Sequence, residues 1–98
     1  MATLYMIKKE SEIVHTNTVE EVQPKNGVDF SLKELQGFVD GYIEVVYLND
    51  EEIMVVNEEG RLLGLPINVA ATLKYNEARG LNDLIVGNAL VCKRSEVK

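Results

Sequence analysis

Residues 42–57 read Tyr42-Ile43-Glu44-Val45-Val46-Tyr47-Leu48-Asn49-Asp50-Glu51-Glu52-Ile53-Met54-Val55-Val56-Asn57. Two runs rich in Ile, Val and Tyr, 42–48 and 52–57, lie on either side of Asn49-Asp50. β-Branched and aromatic side chains fit a pleated, half-buried surface, and Asn-Asp between two such runs marks a chain reversal. The stretch is therefore expected to be a β-hairpin, with 42–48 as a central strand. Alternation with a period of two puts Ile43, Val45 and Tyr47 on one face and Glu44, Val46 and Leu48 on the other. Glu44 is thus a carboxylate on a partly apolar face.

Upstream of the hairpin, Ser31 is followed three residues later by Glu34, the pattern of a capping box. The Ser31 hydroxyl accepts from the Glu34 backbone N–H, and the Glu34 carboxylate returns to the Ser31 N–H. Phe30 and Leu35 stand where a hydrophobic staple would hold them together. A helix over 32–39 follows, with Leu32, Leu35, Phe38 and Val39 on its apolar face and Gly41 at the left-handed position past its end. Pro24-Lys25-Asn26-Gly27 breaks the chain before it. The first residues divide into strands over 3–8, 11–16 and, less cleanly, 18–23.

Downstream, Asn57-Glu58-Glu59-Gly60 is a turn with Gly60 as its left-handed residue, and 61–63 return briefly as strand. After the connector Gly64-Leu65-Pro66-Ile67, Asn68 is an N-cap for a helix over 69–77, which Ala70, Ala71 and Leu73 favour. Gly80 closes that region. A last strand covers 84–92, interrupted at Gly87-Asn88 by a bulge or a close backbone approach. The polar tail 93–98 is expected to be flexible. Strands in hairpins, interleaved with two short helices, predict an α+β fold with a small, mainly antiparallel sheet.

A chain of 98 residues is one domain, 1–98, and at 46% hydrophobic content it is globular. Aromatics make up only 6% and Trp is absent, so Val, Ile and Leu must fill the core. The single cysteine, Cys92, excludes an intramolecular disulfide and sits in an apolar run as a packed residue. A net charge of −6 argues against direct binding to nucleic-acid phosphates. Asp50, Glu51, Glu52, Glu58 and Glu59 concentrate the acid, and read as a solvated hairpin face. A sharper reading makes them a DNA-mimicking or base-binding surface. The opening residues are apolar and then basic, the reverse of a secretory signal, and no apolar run approaches the roughly 18 residues of a membrane span. A cytoplasmic protein with no membrane association is the expectation.

Several blocks together resemble a known family. They are Leu35-Gln36, Gly41-Tyr42-Ile43-Glu44, Val56-Asn57-Glu58-Glu59-Gly60, Gly64-Leu65-Pro66-Ile67-Asn68 with Ala71-Thr72, and Asp83-Leu84-Ile85-Val86-Gly87-Asn88-Ala89-Leu90-Val91. In order and spacing, residues 35–92 resemble small domains of bacteriophages, plasmids and bacterial chromosomes that are known only as a domain of unknown function. One departure is Asp40-Gly41, where the family pattern has a Gly-Gly pair. The resemblance implies a phage or mobile-element setting within a bacterial host and supplies no reaction.

The polar residues inside these blocks are Glu44, Asn57, Glu58, Asn68, Thr72, Asp83 and Asn88. Of these, Glu44, Asn57, Glu58, Asn68, Thr72 and Asn88 are the candidate ligand- or partner-binding set, at a surface joining the 57–60 turn, the 64–72 connector and the 87–88 bulge. Each also has a structural reading. Asn57 and Asn68 suit a turn and a cap, Asn88 a bulge, Thr72 a back-bond to its helix, and Glu44 a solvated strand position. Asp83 suits support of the loop before the last strand. No nucleophile elbow, phosphate loop, cofactor motif or tight metal-ligand spacing is present, so no catalytic residue, cofactor or metal is expected. The adjacent Glu58 and Glu59 would point apart in a strand, and His15 has no motif partner. The leading expectation is a noncatalytic binding module that modulates a host protein or sequesters a small molecule. The alternatives are an enzyme with Glu44 or Asp83 as general acid or base, and an acidic DNA mimic. An exposed sheet edge would favour a homodimer.

Overall fold

The computed structural model, which describes residues 2–80 and 82–97, runs β1 (Ala2–Lys9), β2 (His15–Val22), α1 (Leu32–Val39), β3 (Ile43–Tyr47), β4 (Glu52–Asn57), α2 (Val69–Arg79) and β5 (Ala89–Lys93), then a 3₁₀ turn (Arg94–Glu96). The strands form one antiparallel sheet in the order β2-β1-β5-β4-β3. This is the small α+β fold that the alternation of hairpins and helices predicts. The last strand enters between the two hairpins, so Leu90 stands opposite Leu4 on one side and Val55 on the other.

Alternation along the strands divides the core in two. Leu4, Ile53, Val55, Leu90 and Cys92 point to the face that receives Phe30, Leu35 and Val39 from the α1 region. Met54, Val56, Ala89 and Val91 point to the other face, where Leu48, Ala71 and Ile85 close over them. Phe30, Leu35, Met54 and Leu90 are fully buried, and each contributes about 1.5–3 kcal/mol by leaving water. Phe30 and Phe38 meet edge to face, 5.7 Å between ring centroids. The Ser31 capping box is present in both directions. Leu32, expected on the buried face of α1, is 56% exposed, because eight residues give room for one stripe and Leu35 and Val39 occupy it.

Several boundaries differ from the sequence expectation. The 11–16 and 18–23 runs become one strand, β2, because 10–14 are used in closing the hairpin. There the Glu10 and Ser11 N–H groups donate to the Val14 carbonyl, and the Ser11 hydroxyl accepts from the Val14 N–H. β3 is an edge strand rather than a central one. The positions covered on both faces are those of β4 and β5, whose residues are almost all buried. Residues 61–63 turn instead of returning as strand, the Leu63 N–H donating to the Glu59 carbonyl. Of the run 84–92 only Ala89 onward is regular strand. Before it, Gly87 takes φ +75°, which breaks the pleat, and Val86 makes a single antiparallel bridge to Ile67.

The tail expected to be flexible from residue 93 is instead joined to the sheet end. Lys93 belongs to β5 and pairs with Glu52. The Glu96 side chain is buried and accepts from the Lys93 N–H, while the Phe30 N–H donates to the Glu96 carbonyl at 2.6 Å. Val97 bridges to Phe30. Counting polar residues misses this, since the backbone of 94–97 supplies the contacts.

Candidate functional site

Asn57 sits at the end of β4 and is 5% exposed. Its side-chain amide donates to the Val39 and Asp40 carbonyls at 3.0 and 3.3 Å, and its Oδ1 accepts from the Glu59 N–H at 2.8 Å. One buried side chain thus joins the end of α1 to the turn after β4. The Glu58 N–H adds a bond to the Tyr42 carbonyl at 2.9 Å. Gly41 makes the approach possible, because a Cβ there would lie 2.7 Å from Asn57 Nδ2. The left-handed residue past α1 is Asp40 (φ 59°, ψ 48°), not Gly41 as the sequence suggests. Gly60 likewise is not left-handed. It is small because a Cβ would meet Val86 Cγ2 at 2.8 Å.

The two walls so joined enclose a groove of about 330 Å³, lined by Gln36, Asp40, Tyr42, Asn57, Glu59 and Leu63, with Gly41 at its back. Tyr42 and Leu63 are 65% and 60% exposed, and Leu62 beside them is 83% exposed. Rigid backbone and open apolar side chains therefore coincide at this turn.

Asn68, Thr72 and Asn88 are bonded within the fold. Asn68 is fully buried and caps α2, its Oδ1 accepting from the Ala71 N–H. Its amide donates to the Tyr5 and Gly87 carbonyls. Thr72 bonds to both the N–H and the carbonyl of Ile85. Asn88 accepts from the Ile7 N–H and donates to the Phe38 carbonyl, tying β1 to α1. Asn57, Asn68, Thr72 and Asn88 are thereby engaged in holding strands, helices and turns together. A polar atom already bonded in the interior is not offered to a ligand. Asn17, not singled out in the sequence, completes this network. Its amide donates to Asn68 Oδ1 and to the Met6 carbonyl, and its Oδ1 accepts from the Ala70 N–H. Asn is disfavoured in strands, and its place inside Thr16-Asn17-Thr18 was the available signal.

Glu44 and Glu58 meet at a second cleft of about 350 Å³, over Val46, Val56 and Ile85, with Tyr75, Arg61 and Asp83 on its walls. The Arg61 guanidinium donates to Asp83 Oδ1 at 2.7 Å and to the Leu84 carbonyl at 2.9 Å. The hydrogen bond from Arg61, with a further one from the Leu84 N–H, holds the Asp83 carboxyl below its ordinary range. A general acid at neutral pH needs the opposite shift. Glu44 and Asp83 are both exposed.

The acidic residues gather at the two ends of β4. Asp50 and Glu51 lie in the turn before β4 and Glu58 and Glu59 in the turn after it, roughly 20 Å apart at strand rise. Cys92 is buried on the α1 face. Burial, then the nearby charge of Glu96, pushes its thiol up to about 12. Among the described residues, no three His, Cys, Asp or Glu side chains are grouped to hold a metal, and no helix is long and apolar enough to cross a membrane.

Comparison with family models matches residues 6–97 to one described as "Domain of unknown function (DUF3846)". No curated protein and no solved structure matches the chain.

Proposed function

The chain belongs to the DUF3846 family, and we propose that it is a noncatalytic binding module that engages a protein partner through the groove between the end of α1 and the 57–63 turn. One observation carries this reading: Tyr42, Leu62 and Leu63 stand open to water beside the two segments that the buried Asn57 side chain ties together at Val39, Asp40 and Glu59. Single exposed apolar residues are ordinary. Leu62 and Leu63 on the turn, with Tyr42 on the facing segment, have the composition of a binding anchor, and backbone already tied by hydrogen bonds lowers the ordering cost of association. In the phage or mobile-element setting that the sequence resemblance implies, the partner is a host protein. The test compares the wild-type chain with Leu62→Ser/Leu63→Ser as bait in bacterial lysate. Loss of a retained protein at unchanged melting temperature supports the reading. Equal retention by both baits moves the contact elsewhere.

Capture of a small molecule is a second reading, favoured by the cleft over Val46 and Ile85, whose volume of about 350 Å³ is within the range of ligand sites. Native mass spectrometry tests it. An added mass lost on denaturation supports capture, and a bare chain mass opposes it.

A further inference from the structure

We infer that the partner segment docking in the groove between α1 and the 57–63 turn carries a lysine or arginine flanked by large apolar side chains. This rests on the binding reading above and adds the chemistry of the partner. Three features of the groove point the same way. Its apolar contacts, Tyr42 and Leu63, are exposed, and Leu62, next to Leu63 in the chain, is exposed as well. Its polar rim holds the exposed carboxylates of Asp40 and Glu59, and among the described residues none of those lining it is Lys, Arg or His. One of its walls is the end of α1, whose last turn has no basic residue.

Arg61, the cation within this turn, is directed away to Asp83 and the Leu84 carbonyl. The groove is thus left with uncompensated negative charge beside an aromatic face. A partner ammonium or guanidinium finds two carboxylates and the Tyr42 ring there, and its apolar neighbours cover Leu62 and Leu63. The net charge of −6 over the whole chain adds long-range attraction for a basic segment and opposes a second copy of the chain at this place.

The test titrates the isotopically labelled full chain with two short peptides on a glycine–serine background, one of leucine and arginine, the other of leucine and glutamate. Amide signals of residues 40–42 and 57–63 are followed by NMR. The expected result is a shift of these signals by the arginine peptide, with affinity about tenfold above that of the glutamate peptide and falling as salt rises. Asp40→Asn/Glu59→Gln should weaken binding about three- to tenfold. Asn also tolerates the left-handed conformation at 40, so this variant keeps the fold. Equal shifts by both peptides would overturn the basic partner while leaving the docking surface standing. No shift at these amides with either peptide would overturn both.

Discussion

The Asn17 side-chain amide donates to Asn68 Oδ1 at 2.8 Å, joining two asparagines 51 positions apart in the chain. Through them β2 and the start of α2 are fastened together, and the Tyr5 and Gly87 carbonyls are satisfied in the interior. Replacing Asn68 by Ala removes a helix cap and leaves buried acceptors unpaired, a loss of about 2–4 kcal/mol. Asn17→Ala costs less, about 1–2 kcal/mol, since its site is only part-buried. Because the two share a bond, the double variant should lose less than the sum by at least about 0.5 kcal/mol. Denaturant melts of the four proteins check this, and strict additivity would contradict the network.

Gly41 and Asp40 have opposite demands. Gly41→Ala puts a Cβ against Asn57 Nδ2 and should cost about 1–3 kcal/mol. Asp40→Gly relieves the left-handed backbone at φ 59° and should stabilise the chain by up to about 1 kcal/mol. It also restores the Gly-Gly pair from which this sequence departs. Melting temperatures that moved in the same direction for both variants would rule out this account of the helix end.

Cys92 should be inert in the folded chain. Its thiol is buried and pushed up to about 12, so at pH 8 almost none of it is thiolate. A thiol-specific reagent should react fully in denaturant and only at the unfolding rate without it. Rapid modification of the native protein would overturn the placement of Cys92.

Acid should weaken the fold through carboxyls held low in the folded state, among them Glu34 and Asp83. Glu34 is held below its ordinary value of 4.5 by the backbone N–H groups of Ser31 and Lys25. Asp83 is held below 3.8 by Arg61 and the Leu84 N–H. A carboxyl depressed in the folded state adds stability that is fully present above its unfolded value and is lost as pH falls through the folded one. The melting temperature should therefore be flat with respect to these groups above about pH 5 and fall below about pH 4. Arg61→Ala should move the Asp83 titration midpoint upward in a carboxyl NMR titration. An unmoved midpoint would show that Arg61 does not set it.

Leu62 and Leu63 are largely exposed. Leu62→Ser and Leu63→Ser should each change stability by less than about 0.5 kcal/mol, as urea melts would show. A larger loss would mean that the turn needs them for folding rather than for contact.

The local rules written into the chain carried a large part of this structure. Ser31 and Glu34 define the start of α1 through side chains that reach only a few residues, and Asn68 does the same for α2. The alternation of Ile43 through Tyr47 and the buried run Ile53–Val56 are legible because strand side chains repeat every second residue. The family resemblance over 35–92 is now seen as membership of DUF3846, the match extending to 6–97. Tertiary pairing decided the rest. No local signal says that β5 enters between the two hairpins and leaves β3 at the edge. None says that the carbonyls of Val39, Asp40, Tyr5 and Gly87 will accept from the amides of Asn57 and Asn68. A buried carbonyl must find a donor wherever the folded chain brings one, so Asn57, Asn68 and Asn88 became internal fasteners, while Glu44 and Glu58 stayed exposed.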